Sequence, residues 1–134
     1  MTRRRQIATA LSGLVLLAGC GGEVTTAAGI TVLVGQRSSS GMDALGGGIL
    51  EVVGGCLGAS GYVIVWPHGT DVVDEDPLTV DVPDVGRVAL GEEFQVGGGF
   101  VLERSSTTRS PGPYRAGGVV VPAECAAYDV FVAS

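Results

Sequence analysis

Tyr62-Val63-Ile64-Val65-Trp66-Pro67-His68-Gly69 decides the fold class of this chain. Five β-branched or aromatic residues in a row favour a strand, and Pro67 and Gly69 stop it abruptly. If the strand is regular, Tyr62, Ile64 and Trp66 share one face and Val63 and Val65 the other. The same grammar continues in both directions. Ile30–34, Ile49–53, Leu78–82, Arg87–90, Phe94–96, Phe100–103, Val119–121 and Tyr128–132 are further short strand candidates, separated by Gly, Pro and Ser clusters. Residues 124–127 have room for one helical turn, and no segment beyond residue 20 carries a helical period of useful length.

Seven to nine short strands with this punctuation predict an all-β domain. The chain holds 23 Gly and 6 Pro in 134 residues, so bends and bulges are frequent. That favours a small barrel, OB-like as the first expectation, with an open sandwich as the second. Residues 38–48 and 105–118 are expected to be loops, and the chain is long enough for one core only.

The N-terminal segment has a different character. Arg3, Arg4 and Arg5 precede an apolar stretch from Ile7 to Ala18, about a dozen residues and too short for a bilayer span of ~20. It ends in Leu17-Ala18-Gly19-Cys20, and this resembles the bacterial lipoprotein signal, whose lipobox is a Leu, two small residues and a Cys. The resemblance implies removal of residues 1–19, a diacylglyceryl thioether on Cys20, and membrane attachment through lipid on the extracytoplasmic side. Residues 20–29, small and polar, read as a lipidated tether, and residues 30–134 as the single β-domain.

Removing nineteen residues from 134 leaves 115, in which five Arg face fourteen carboxylates, a balance of −9. A chain of that sign repels phosphate backbones, which excludes nucleic acid as a partner, and repels anionic headgroups, which leaves the lipid as the only membrane contact. After Cys20, two cysteines remain, Cys56 and Cys125. Outside the cytosol they read most simply as a disulfide tying the front of the domain to its last strand. The alternative is a metal site or reactive thiol using Cys56, Cys125 and His68, for which the paired short spacing of zinc motifs is lacking.

The domain also resembles a group of small exported bacterial proteins of unknown function. Gly48-Ile49-Leu50, Cys56-Leu57, Trp66-Pro67-His68-Gly69, Leu90-Gly91-Glu92-Glu93-Phe94 and Gly97-Gly98-Gly99 carry the likeness. It implies a β-barrel and the Cys56–Cys125 pairing, and brings no activity with it.

Chemistry is sparse. His68 is the only candidate general base. A hydrolase would need it beside an acid such as Asp71 and a nucleophile such as Ser60. The Gly46–48 and Gly97–99 runs lack the helix and Lys of a phosphate loop, so close packing is their simpler reading. Asp71, Asp74, Glu75, Asp76, Asp81 and Asp84 place six carboxylates in fourteen residues. Asp71, Asp74 and Asp76 are weak candidates for a divalent cation, but no calcium-loop spacing is present, and a solvated mobile loop is the plainer expectation. Tyr62, Trp66 and His68 are candidates for a binding surface, with Tyr114 as a second aromatic wall. Against that stands Trp66 as a core plug beside the disulfide. No motif calls for a cofactor. The expected role is a non-catalytic binding or structural module whose partner is an envelope protein or wall polymer. A small hydrolase and a cation-binding module are the alternatives.

Overall fold

A computed structural model describes residues 21–38, 41–103 and 112–134. The chain forms β1 (Glu23–Ala27), β2 (Ile30–Val34), β3 (Ala44–Val53), β4 (Cys56–Ala59), β5 (Tyr62–Trp66), β6 (Asp71–Glu75), β7 (Leu78–Val82), β8 (Gly86–Ala89), β9 (Glu93–Leu102), β10 (Tyr114–Ala116), β11 (Val119–Val121), the single turn α1 (Ala123–Ala126) and β12 (Val130–Ala133). The all-β expectation holds. Among the described residues no helix is long and apolar enough to cross a membrane.

Seven strands form one sheet in the order β1-β2-β4-β3-β9-β12-β5, and β5 also pairs with β2 and β4. Following the pairings from β2 through β4, β3, β9, β12 and β5 therefore leads back to β2. Three of the links, β2–β4, β2–β5 and β5–β12, are parallel. Every strand of this circuit contributes to one apolar cluster: Val32, Leu50, Leu57, Trp66, Phe94 and Phe131 come from the six in turn. The separate sheet β6-β7-β8 lays Leu78, Val80, Val82 and Val88 on the same cluster. Strand β7 alternates as a half-buried strand should, with Thr79 and Asp81 turned away.

A second cluster lies on the other side of β5. It joins Leu33, Val63, Val65 and Val130 to Val119 and Val121 of β11 and to Cys56 and Cys125. The predicted parity along β5 is observed: Tyr62, Ile64 and Trp66 meet the first cluster, Val63 and Val65 the second. Both faces are buried, and residues 63–66 are wholly inaccessible.

Several stretches differ from the sequence-based expectation, among them Cys56–Ala59, which forms β4 outside the expected strands. Residues 21–29, read as a tether, contain β1, which folds back on β2 from Ala27↔Ile30 to Glu23↔Val34. Its two-residue turn, Ala28 and Gly29, has both φ values positive (52° and 73°), the geometry that suits a tight hairpin. Gly46–48, read as a loop, lies inside β3, and Gly97–99 lies inside β9; the two runs are offset along the β3–β9 ladder, where Gly46, Gly47 and Gly48 oppose Val96, Gln95 and Phe94, and Gly97 and Gly98 oppose Leu45 and Ala44. The acidic stretch is a strand, β6, paired with β7 rather than a mobile connection. Within 105–118, residues 114–116 form β10 against β11, and residues 105–111 of that expected loop lie outside the described residues, as do 39–40.

The glycine runs have a steric cause. A Cβ at Gly46 would sit 2.6 Å from the Phe131 ring, and one at Gly98 2.8 Å from it. Gly98 also has a φ of +153°, which disfavours any side chain there. The ring of Phe131 thus occupies a socket that Gly46 of β3 and Gly98 of β9 leave open. Tyr62 and Phe100 complete the group, with ring centroids 5.8 and 5.2 Å from Phe131. Close packing, not phosphate binding, accounts for these runs.

Candidate functional site

The disulfide joins Cys56 and Cys125, 69 residues apart, with Cα atoms separated by 5.9 Å. Both residues are buried in the second cluster. Cys125 belongs to α1, just before the last strand rather than on it. The pairing leaves no thiol for the metal or reactive-thiol alternative. Cys20, the expected lipidation site, lies outside the described residues, as does the expected signal segment 1–19.

The aromatic platform is not formed. Trp66 is completely buried, and its indole N–H donates to the Leu57 carbonyl oxygen at 3.3 Å. It stacks at 5.3 Å on Phe94 within the first cluster, while the disulfide belongs to the second, so Trp66 is a core plug but not the disulfide's neighbour. Tyr62 is half-buried and its hydroxyl is held by the backbone of Gly47, accepting from the N–H at 2.7 Å and donating to the carbonyl at 3.0 Å. Tyr114 packs on the second cluster and donates to the Val101 carbonyl at 3.3 Å, so it cannot face Trp66 across a shared surface. A row of alternating aromatics in a strand reads equally as platform or core. The deciding fact is that β5 is covered on both faces, which depends on strands far away in sequence.

The triad of a hydrolase is also not assembled. Ser60 and Gly61 make the tight turn before β5, with φ values of 51° and 79°. The Ser60 hydroxyl donates to the Gly47 carbonyl at 2.8 Å, and Gly61 N–H donates to the Glu51 carboxylate at 2.8 Å. His68 follows the other end of β5. Five strand residues at about 3.3 Å each put roughly 17 Å between the two ends. Asp71 opens β6 and pairs across the ladder with Asp81. Ser60 is a turn residue, and His68 has neither it nor Asp71 as a partner in a common pocket.

The weak cation candidates do not converge either. Asp74 accepts a hydrogen bond from the Asp76 N–H at 3.1 Å, closing a local turn. Asp71 lies at the far end of the same strand. Among the described residues no three His, Cys, Asp or Glu side chains are placed to hold one metal ion.

What the fold does build is a groove of about 800 Å³ at the end of the strand circuit. Its wall is made by the chain leaving β2, where Gly35 N–H donates to the Trp66 carbonyl at 2.7 Å and Gln36 N–H to the Gly117 carbonyl at 2.8 Å. Arg37, His68 and Asp84 supply polar groups, and Met42, Leu45 and Val85 supply apolar surface. Leu45 is 68 % exposed, a large apolar side chain held in water beside these charges. Of the residues expected to form a binding surface, only His68 lies here. The others had no signal in the sequence, because the groove joins loops and strand ends that are distant along the chain. No family model, curated protein or solved structure matches the chain.

Proposed function

We propose that this chain is a lipid-anchored, non-catalytic binding or structural module, held through Cys20 on the extracytoplasmic face of the cell membrane. The order of basic segment, apolar segment and lipobox supports the anchor. A buried disulfide supports an oxidising compartment, where such bonds persist. The observation that carries the binding reading is the groove beside His68. A few polar groups set among apolar side chains in a concave surface are the usual make-up of a recognition site. The partner is an envelope protein or a wall polymer.

The test uses the full chain in its native host. Cys20→Ser yields an unprocessed or soluble species, and a variant that still partitions into detergent at the normal mature mass overturns the anchor. A photo-crosslinking residue at Leu45 gives discrete adducts in intact cells, lost when Arg37 and His68 are both replaced by Ala. Absence of adducts at Leu45 overturns the groove as the binding site.

A further inference from the structure

We propose that the cleft between β1 and β6 accepts an extended, basic segment of another polypeptide as an added strand. Among the described residues β1 is the outermost strand of the large sheet and β6 the outermost strand of the small one, and each has a ladder partner on one side only. Residues 25–27 and 72–76 line a cleft of about 560 Å³ between them, to which no other element contributes among the described residues. In an antiparallel ladder every second residue turns its N–H and C=O away from its partner. β1, along a regular ladder, and β6, on either side of the irregularity at Val73, therefore each leave backbone donors and acceptors beside the cleft, the condition for recognition by strand addition.

The cleft is held in shape before anything enters it. The Ala28 N–H, in the turn after β1, donates to the Glu75 carboxylate at 3.2 Å and ties one sheet to the other. A preformed slot reduces the ordering that binding must overcome. The three residues of β1 that line the cleft offer about 10 Å of edge, enough for a segment of three extended residues.

Charge selects the occupant. Asp74, Glu75 and Asp76 are exposed along the β6 wall, with Glu23 at the head of β1. A second copy of this chain would bring the same acidic strand to the same slot, and the two would repel. A segment with Lys or Arg at alternate positions matches the wall. Val73, exposed by 41 %, offers its intervening side chains an apolar contact.

The proposal rests on reading the domain as a binding module. The experiment titrates the full chain, purified in detergent, with an eight-residue peptide in which Lys alternates with Val and Thr, and follows backbone amides by NMR. Expected are shifts confined to residues 24–28 and 72–76, at least tenfold weaker binding for Asp74→Asn with Asp76→Asn, and a similar loss for a peptide N-methylated at alternate residues. The N-methylated peptide keeps its charge but loses strand hydrogen bonds. Equal affinity for it, shifts elsewhere, or no binding at millimolar peptide overturns the proposal. A chain that ignores the peptide yet cross-links through Leu45 refutes the cleft alone, and the reverse result refutes the groove alone.

Discussion

The two faces of β5 are buried equally but secured differently. Toward the first cluster the strand sends Tyr62, Ile64 and Trp66, which meet Phe94 and Phe131 inside a circuit of six strands. Toward the second it sends Val63 and Val65, which meet small residues of β10, β11 and α1 under a disulfide. The first face is enclosed by the six-strand pairing circuit, by the β6-β7-β8 sheet and by large side chains. The second is closed by two three-residue strands and one helical turn, elements too short to hold a position unaided. A covalent bond between β4 and α1 supplies there what aromatic bulk supplies inside.

The largest effect is expected inside. Trp66→Ala removes the biggest fully buried side chain together with its hydrogen bond to Leu57. The loss is about 3–5 kcal/mol, measured by denaturant unfolding, and does not depend on whether the disulfide is intact. A loss below 1 kcal/mol would mean the interior is not the better-packed face.

Removing the bridge comes next. Replacing Cys56 and Cys125 together by Ala releases a 69-residue loop, worth about 4 kcal/mol on chain entropy before native strain is subtracted. The comparison makes a sharper statement about where the loss appears. In the bridged protein, amides of β11 and α1 exchange with the rest; without the bridge they exchange earlier than those of β5 and β9. Simultaneous loss of protection across both clusters would show that the faces form one cooperative unit.

The glycine socket gives an intermediate effect. Gly46→Ala drives a methyl group into the Phe131 ring and costs about 1–3 kcal/mol, and Gly46→Ala with Phe131→Leu recovers part of it. If the double variant is as unstable as the sum of the singles, the runs serve some purpose other than making room for the ring.

How much of this was legible beforehand follows the same division. The strand Tyr62–Trp66, its parity and its stops were readable because β-branched runs and Pro-Gly punctuation are local signals. The disulfide was readable from the number of cysteines and from the lipoprotein-like N-terminal segment, which implies an oxidising compartment. The glycine runs misled, since a glycine that makes space for a distant ring looks identical to one that makes a loop, and Phe131 lies 85 residues from Gly46. The β6 strand was hidden by its charges. An edge strand needs only one apolar contact, here Val72, and fills its remaining positions with residues that discourage unwanted pairing. The groove beside His68 had no local signature, and the buried state of Trp66 needed knowledge of what covers both sides of β5.

That hidden strand carries the smallest expected effect. In the ladder Asp71 stands opposite Asp81, which in turn stands opposite Arg87. The first pairing sets like charges across from each other and the second sets unlike charges. All three side chains are exposed, so solvent and salt weaken both terms. Asp71→Asn removes the repulsive pair and keeps the attractive one. It raises stability by a few tenths of a kcal/mol at low salt, a gain that shrinks as ionic strength rises. Asp81→Asn removes both pairs and leaves stability near its starting value. Thermal unfolding of the two variants at low and high salt separates them. If Asp71→Asn instead lowers the melting temperature, and calcium raises that of the parent chain but not of the variant, the two carboxylates are held together by a shared cation rather than tolerated as a weak repulsion on an open edge.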